Sequence, residues 1–152
     1  MPKPALQKRT VLLAESDVIV RLALAQHLRA CAHTVFEAAD AAEAKAILLA
    51  GQGCDVLLCD PQLVGADNGF SIAQWVRRHR PQASVVLAAS LHTKTLAVVE
   101  LCGSTPDQAL RDSAALSEKI RLMLAQRARR SRRPAATADD VKLRPRSKGV
   151  PT

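Results

Sequence analysis

Aromatic residues are nearly absent from this chain, which contains no Tyr, two Phe and one Trp among 152 residues. The three rings, Phe36, Phe70 and Trp75, all lie in the first half. Proteins that bind single-stranded nucleic acid by stacking need several exposed rings on one surface. We therefore do not expect this mode of binding.

The sequence also lacks paired cysteines and clustered histidines. None of the four cysteines belongs to a Cys-x-x-Cys pair, and the four histidines are scattered. A zinc site needs four ligands at closer spacing, so we assign no metal role to either residue type. Each cysteine lies in an apolar periodic segment and is expected to be a small buried side chain. The cysteines are Cys31, Cys54, Cys59 and Cys102.

Long apolar runs are missing as well, and no signal peptide is recognisable at the N-terminus. We therefore expect a protein of the reducing cytoplasm with no membrane contact. The apolar content of 48% is that of an ordinary globular domain.

The net charge of +8 is unevenly distributed. Residues 1–126 carry 13 basic and 12 acidic side chains, whereas residues 127–152 carry 9 basic and 2 acidic ones. We predict one domain over residues 1–126, with its core at about 8–126 and its last helix running to about 130. Residues 127–152 are predicted to be a disordered basic tail. Such an arm binds phosphate backbones without sequence preference. Binding of nucleic acid or another acidic surface is therefore the alternative function of the chain. The other interpretation of the tail is a solvated segment that binds nothing specific.

Short apolar runs alternate with helical patterns along the domain. Four strands are predicted at residues 11–14, 34–38, 55–59 and 84–89, and a weaker fifth strand at residues 108–110. Helices are predicted between them and from residue 113 to about 130. Strands that are apolar on both faces, each followed by a helix, are typical of a parallel sheet covered on both sides. The predicted fold class is α/β, with a doubly wound five-stranded parallel sheet.

Carboxylates follow two of these strands. Glu15, Ser16 and Asp17 come directly after the first strand, and Asp60 ends the third. In an open parallel sheet, ligands collect at the carboxyl ends of the strands. Converging carboxylates repel one another unless a cation neutralises them, and oxygen ligands suit Mg²⁺. The sequence therefore predicts a magnesium site, the other interpretation being that Glu15 and Asp17 only cap the first helix.

Three segments together carry a resemblance to a known family. They are V-L-L-A-E-S-D-V-I-V-R at 11–21, C-D-V-L-L-C-D at 54–60 and D-P-Q-L-V-G-A-D-N-G at 60–69. Over about residues 8–126 the chain resembles the receiver domain of two-component response regulators, which has a flavodoxin-like fold. The order and spacing of the segments carry this resemblance rather than any one of them.

The resemblance implies roles for individual residues. Asp60 would be the phosphoacceptor, attacking a phosphoryl group supplied by a histidine kinase or phosphotransfer protein. Mg²⁺ would be bound by Glu15, Asp60 and the backbone carbonyl of Gln62. The second acidic position of the family is occupied by the neutral Ser16, and Asp17 next to it is a further candidate ligand.

Other positions depart from the family pattern. The hydroxyl residue that ends the fourth strand is replaced by Ala88, or by Ala89 if the register shifts by one. The Lys-Pro pair of the fifth strand is missing, and Arg111, the nearest cation, is a poor substitute for lysine. No aromatic residue follows Trp75 to act as the family's switch residue. We therefore predict a degenerate site with weak Mg²⁺ binding and with weak, slow or absent phosphorylation.

The predicted function is that of a single-domain, non-enzymatic response regulator in phosphorelay signalling. Its regulation is expected to occur through weak phosphorylation or through protein contacts that do not depend on phosphorylation. Its expected partners are a histidine kinase or phosphotransfer protein, a downstream protein target and a second copy of itself. A dehalogenase-like phosphatase would need an acid where Gln62 stands. A nucleotide-binding module would need a glycine-rich loop after the first strand, and none is present there.

Overall fold

Nine helices and strands follow one another in residues 6–133, the part of the chain that a computed structural model describes. Their bounds are β1 Thr10–Ala14, α1 Val18–Ala30, β2 Thr34–Ala38, α2 Ala41–Leu49, β3 Val56–Cys59, α3 Gly69–His79, β4 Ser84–Leu87, α4 Leu91–Leu101 and α5 Pro106–Ser131. The first eight elements alternate strictly between strand and helix. This alternation is that of an α/β fold, as predicted.

The four strands form one parallel sheet in the order β2-β1-β3-β4. At its centre, Val11 of β1 lies between Val35 of β2 and Val56 of β3. All four residues of β3 are buried, although alternate side chains point to opposite faces. Both faces of the sheet centre are therefore covered, which explains why these strands are uninterrupted apolar runs.

Two separate sets of side chains form the core. In the first set, Leu13 and Leu58 pack with residues of α1, α4 and α5, such as Leu24 and Ile120. In the second set, Leu12 and Leu57 pack with residues of α2 and α3, such as Leu48 and Val76. Helices α1, α4 and α5 therefore cover one face of the sheet, and α2 and α3 cover the other.

The predicted fifth strand is wrong. Residues 108–110 lie inside α5, and the sheet has four strands within residues 6–133. Proline is favoured at the start of a helix, and α5 begins at Pro106. The residues of α5 that are buried recur at helical spacing: Ala109, Ser113, Leu116, Ser117 and Ile120. The strand was assigned to residues 108–110 only because no other stretch remained before the last helix, and Gln108 and Leu110 are exposed residues of α5.

Helix α5 continues to Ser131 and so includes the first residues of the predicted basic tail. The rest of that prediction, for residues 134–152, lies outside the described residues. Within the described part of the chain, no helix combines the length and apolar character that crossing a membrane requires.

Two of the four cysteines are paired, and only Cys59 is the fully buried side chain that was predicted for all four. Cys31, which follows α1, forms a disulfide with Cys102, which follows α4, and their Cα atoms are 5.6 Å apart. Disulfides are rare in reducing compartments, so this pair is at odds with the expected cytoplasmic environment. Because 71 positions separate the two residues, their spacing carried no local signal. Cys54 and Cys59 are free.

Candidate functional site

The carboxyl ends of β1 and β3 place two acidic residues side by side. Glu15 follows β1 directly, and its backbone N–H donates to the carbonyl oxygen of Ala38, with N and O 2.9 Å apart. Asp60 follows β3, and its N–H donates to the carbonyl oxygen of Ala14 over 3.1 Å. These bonds extend the sheet by one residue at each strand. Glu15 is only 4% exposed, so its charge needs a partner.

That partner is Lys94, in the first turn of α4. Its Nζ lies 2.7 Å from Oε2 of Glu15 and 2.7 Å from Oδ2 of Asp60. Lys94 is 8% exposed. Burial alone would lower its pKa, but the hydrogen bonds and negative charges of Asp60 and Glu15 raise the pKa above the usual value for lysine. The pocket therefore contains an ammonium ion between two carboxylates.

The other carboxylate oxygens have backbone partners. Oδ1 of Asp60 accepts a hydrogen bond from the N–H of Gln62 over 2.7 Å. Oε1 of Glu15 accepts one from the N–H of Asp17 over 3.1 Å. All four oxygens of the pair are thus hydrogen-bonded within the chain. We call Glu15, Asp60 and Lys94 the ionic triad.

Gly69 fixes the loop that follows Asp60. A Cβ atom at this position would overlap the carbonyl oxygen of Asp60 and lie 2.7 Å from Cα of Pro61. The N–H of Gly69 also donates to the carbonyl oxygen of Pro61 over 3.1 Å. The start of α3 therefore packs directly against the backbone of Asp60, which any residue larger than glycine would prevent.

Ser16 and Asp17 are both committed elsewhere. The hydroxyl of Ser16 accepts from the N–H of Val64 over 2.9 Å. Asp17 caps α1 and pairs with Arg127, whose Nη2 lies 2.7 Å from Oδ2. Burial alone would raise the pKa of Asp17, but the Arg127 hydrogen bond and the helix N–H groups lower it. The helix-cap interpretation of Asp17 is confirmed.

Two other positions that depart from the family pattern, Ala88 and Arg111, lie after β4 and on α5. Ala88 is 3% exposed after β4 and offers no hydroxyl. Ser90, the nearest hydroxyl, caps α4 through reciprocal bonds with Thr93. Arg111 is exposed on α5, and the cation that contacts Asp60 is Lys94 instead.

Cys59 is a buried thiol next to the triad. Burial and the negative charges of Asp60 and Glu15 raise its pKa to about 12. The thiol is therefore protonated at neutral pH, and Sγ lies within weak hydrogen-bond distance, 3.3 Å, of the Asp60 carbonyl oxygen. A protonated thiol is a poor nucleophile, so Cys59 acts as core packing here.

Sequence reasoning missed Lys94, because it considered only residues at strand ends. In a parallel sheet the helix that follows a strand also begins at the carboxyl edge. A lysine in the first turn of an apolar helix is unfavourable beside the positive end of the helix dipole. A basic residue at such a position indicates an acidic partner nearby, and Lys94 follows Ser90 by one turn.

The predicted magnesium ligands do not fit a divalent ion while Lys94 is in place. Mg²⁺ requires oxygen ligands in nearly octahedral geometry. Oε2 of Glu15 and Oδ2 of Asp60 are bound to the ammonium group, and their other oxygens accept from backbone N–H groups. The predicted third ligand, the carbonyl oxygen of Gln62, would act only together with these two.

Comparisons with known proteins place the fold. No family model matches the sequence, and no curated protein does. Solved structures do match its fold, among them two receiver domains and a response regulator. A CheY-like receiver domain from Methanospirillum hungatei JF-1 is 17% identical, with 77% of this chain and 99% of that chain covered and a TM-score of 0.51. The non-phosphorylated HemR receiver domain from Leptospira biflexa is 23% identical, with 62% and 76% covered and a TM-score of 0.50.

The third structure, the response regulator RcsB in complex with DNA, is 21% identical, with a TM-score of 0.50. The match covers 62% of this chain and 50% of that one. At these identities the likeness is one of fold. The chain has the α/β fold of response-regulator receiver domains.

Proposed function

We propose that the chain is a receiver domain of two-component signalling in which Asp60 is the phosphoacceptor and phosphorylation is inefficient. The observation that carries this proposal is the position of Asp60. It lies at the carboxyl end of a central strand, beside Glu15, in a fold of the receiver type. In α/β folds of this kind that edge of the sheet is where ligands bind.

The chemistry would be attack by one Asp60 oxygen on phosphorus, while the bond from phosphorus to the donor breaks and an acyl phosphate forms. Both oxygens of Asp60 are engaged, one by Lys94 and one by the N–H of Gln62. One of these contacts must be given up before the oxygen can attack. Ala88 provides no hydroxyl to bind the transferred group, so the product gains little stabilisation.

A domain with such a site would act largely through protein contacts. The partners we propose are a histidine kinase or phosphotransfer protein and a downstream target, with a second copy of the chain as a further partner. The region where a fifth strand was expected is instead occupied by the start of α5. Its surface therefore differs from that of a five-stranded domain, which favours a partner specific to this chain.

Phosphorylation is tested by intact mass measurement. The full chain is incubated with acetyl phosphate or phosphoramidate and Mg²⁺, beside an Asp60→Asn variant. In the wild type we expect a small fraction of the protein, growing slowly with time, to gain the mass of one phosphoryl group. In the variant we expect no such gain. Rapid stoichiometric phosphorylation would contradict the inefficiency. Equal labelling of both proteins would remove Asp60 as the acceptor.

Binding to an acidic surface is the second candidate function, and exposed arginines at the end of α5 favour it. Arg129, Arg130, Arg132 and Arg133 are exposed, whereas Arg127 is paired with Asp17. Basic side chains bind nucleic acid through phosphate contacts that weaken as salt increases. Retention on duplex DNA at low and moderate salt, compared with a variant carrying Gln at these four positions, tests this. Equal retention of both proteins would exclude the described arginines as a binding surface.

A further inference from the structure

The two carboxylates predicted to bind Mg²⁺ are the same two that bind Lys94. We propose that the Lys94 ammonium group is the resident cation of this pocket and that it takes the place of a divalent ion. The domain would then keep its acidic pocket neutralised without metal. This inference rests on the proposed function only for the choice of Mg²⁺ as the competing ion.

The contacts of Lys94 support a cation role. An ammonium group has three donors, and two of them are directed at oxygens 2.7 Å away on Glu15 and Asp60. A lysine that served Asp60 alone would not need Glu15. By bridging both acids, Lys94 performs the neutralisation that a divalent ion would otherwise supply. A metal ion added beside it would meet like charge at short range in a buried site.

The backbone holds Lys94 in this position. Ser90 and Thr93 close the first turn of α4 with a capping box. One residue after Lys94, the hydroxyl of Thr95 lies 2.7 Å from that of Ser117 on α5, in the buried interior. Helix α4 cannot rotate to withdraw the lysine without breaking this buried hydrogen bond. The ammonium is therefore a fixed part of the pocket and not a mobile surface group.

The charge balance also agrees with this role. Glu15, Asp60 and Lys94 together have a net charge of −1, and the remaining acid oxygens are stabilised by backbone N–H groups of Gln62 and Asp17. Without Lys94 the pocket would have a charge of −2, which a divalent ion matches. Removal of the lysine should therefore convert the pocket into a metal site.

The experiment measures binding of Mg²⁺ to the full chain by calorimetry and by backbone amide shifts of Glu15 and Asp60. Three proteins are compared: wild type, Lys94→Met, and Lys119→Met, which changes an exposed lysine of α5 in the same way. We expect Lys94→Met to bind Mg²⁺ at least about tenfold more tightly than the wild type, a difference of about 1.4 kcal/mol. Lys119→Met should match the wild type, and Glu15→Gln added to Lys94→Met should abolish the gain.

Two results would overturn the inference. Lys94→Met could bind Mg²⁺ no more tightly than the wild type, which would mean that Lys94 does not occupy a cation site. Alternatively, the wild type could itself bind Mg²⁺ tightly at Glu15 and Asp60, which would mean that the lysine does not exclude metal. If Lys94→Met does not fold, the wild-type titration still decides, because submillimolar Mg²⁺ binding with shifts at Glu15 and Asp60 contradicts a filled pocket.

Phosphorylation of the same variants separates this inference from the proposed function. Lys94→Met could bind Mg²⁺ while Asp60 is not phosphorylated in any of the proteins. In that case Lys94 is the resident cation of the pocket, and the proposal that Asp60 is the phosphoacceptor fails. If Lys94→Met abolishes the phosphorylation seen in the wild type and leaves Mg²⁺ affinity unchanged, Lys94 binds the phosphoryl group instead. That second outcome overturns the resident cation and supports the proposed function.

Discussion

The two ends of helix α4 are attached to the rest of the domain in different ways. At its N-terminal end, Lys94 bridges Glu15 and Asp60 through two 2.7 Å contacts. At its C-terminal end, Cys102 is covalently bonded to Cys31. Next to this bond, Nε2 of His33 lies 2.8 Å from the carbonyl oxygen of Leu101. His33 Nδ1 accepts from the backbone N–H of Arg9, so Nε2 is the donor to Leu101.

This difference shows that the position of α4 depends on two independent conditions. The N-terminal attachment requires charges on all three members of the ionic triad, and a competing cation or a new charge on Asp60 would disturb it. The C-terminal attachment combines an oxidised cysteine pair with the His33 hydrogen bond and involves none of the triad charges. We therefore expect that each attachment can be removed without altering the other.

Removal of the ammonium group should have the largest effect. In metal-free buffer, we expect Lys94→Met to lower the free energy of unfolding by about 3–5 kcal/mol, because it leaves two buried carboxylates without their counter-ion. Urea denaturation measures this change. Lys119→Met on the surface of α5 should change stability by less than about 0.5 kcal/mol.

A triple variant tests whether uncompensated charge causes the stability loss of Lys94→Met. Adding Glu15→Gln and Asp60→Asn to Lys94→Met removes every charge of the triad, and replacing a whole buried ion group is often nearly neutral. Most of the lost stability should return. If the triple variant is as unstable as Lys94→Met, the loss comes from packing of the lysine stem and not from uncompensated charge.

Opening the disulfide should have a somewhat smaller effect. The bond closes a loop of 71 positions, and a disulfide typically adds about 2–4 kcal/mol by restricting the unfolded chain. We expect Cys102→Ser to lose this amount, and Cys54→Ser, which changes a free cysteine, to lose much less. The difference between wild type and Cys102→Ser should disappear in reducing agent. A wild-type stability that reductant does not change would show that the bond contributes nothing.

Much of the fold could be predicted because its signals are local. Four strands and the helices that follow them correspond to apolar runs and helical spacing, and the two central strands, β1 and β3, are buried on both faces. The fifth strand failed because residues 108–110 were interpreted by elimination, without the start signal at Pro106. Capping of α1 by Asp17 was one of two interpretations of this residue, and the structure shows the cap, in line with the preference for Asp before a helix.

The site was harder to predict because its decisive contacts join distant positions. Lys94 and Asp60 are 34 positions apart, and the disulfide spans 71. No spacing pattern links such residues before the sheet order is known. The two acidic residues of the site follow strand ends and could be predicted from the sequence. The basic residue, Lys94, comes from a helix turn that packs over the same edge of the sheet and could not.

The smallest expected effect is the coupling between the two ends of α4. Lys94 and Cys102 are eight positions apart, roughly 12 Å along a helix. Lys94 is bound to Glu15 and Asp60, whereas Cys102 is bonded to Cys31. Substitutions at such distances usually add within about 0.5 kcal/mol. The Lys94→Met, Cys102→Ser double variant should therefore lose the sum of the two single losses. A coupling of about 1 kcal/mol or more would mean that α4 moves as one rigid body, so that the redox state of the cysteines would alter the ionic triad.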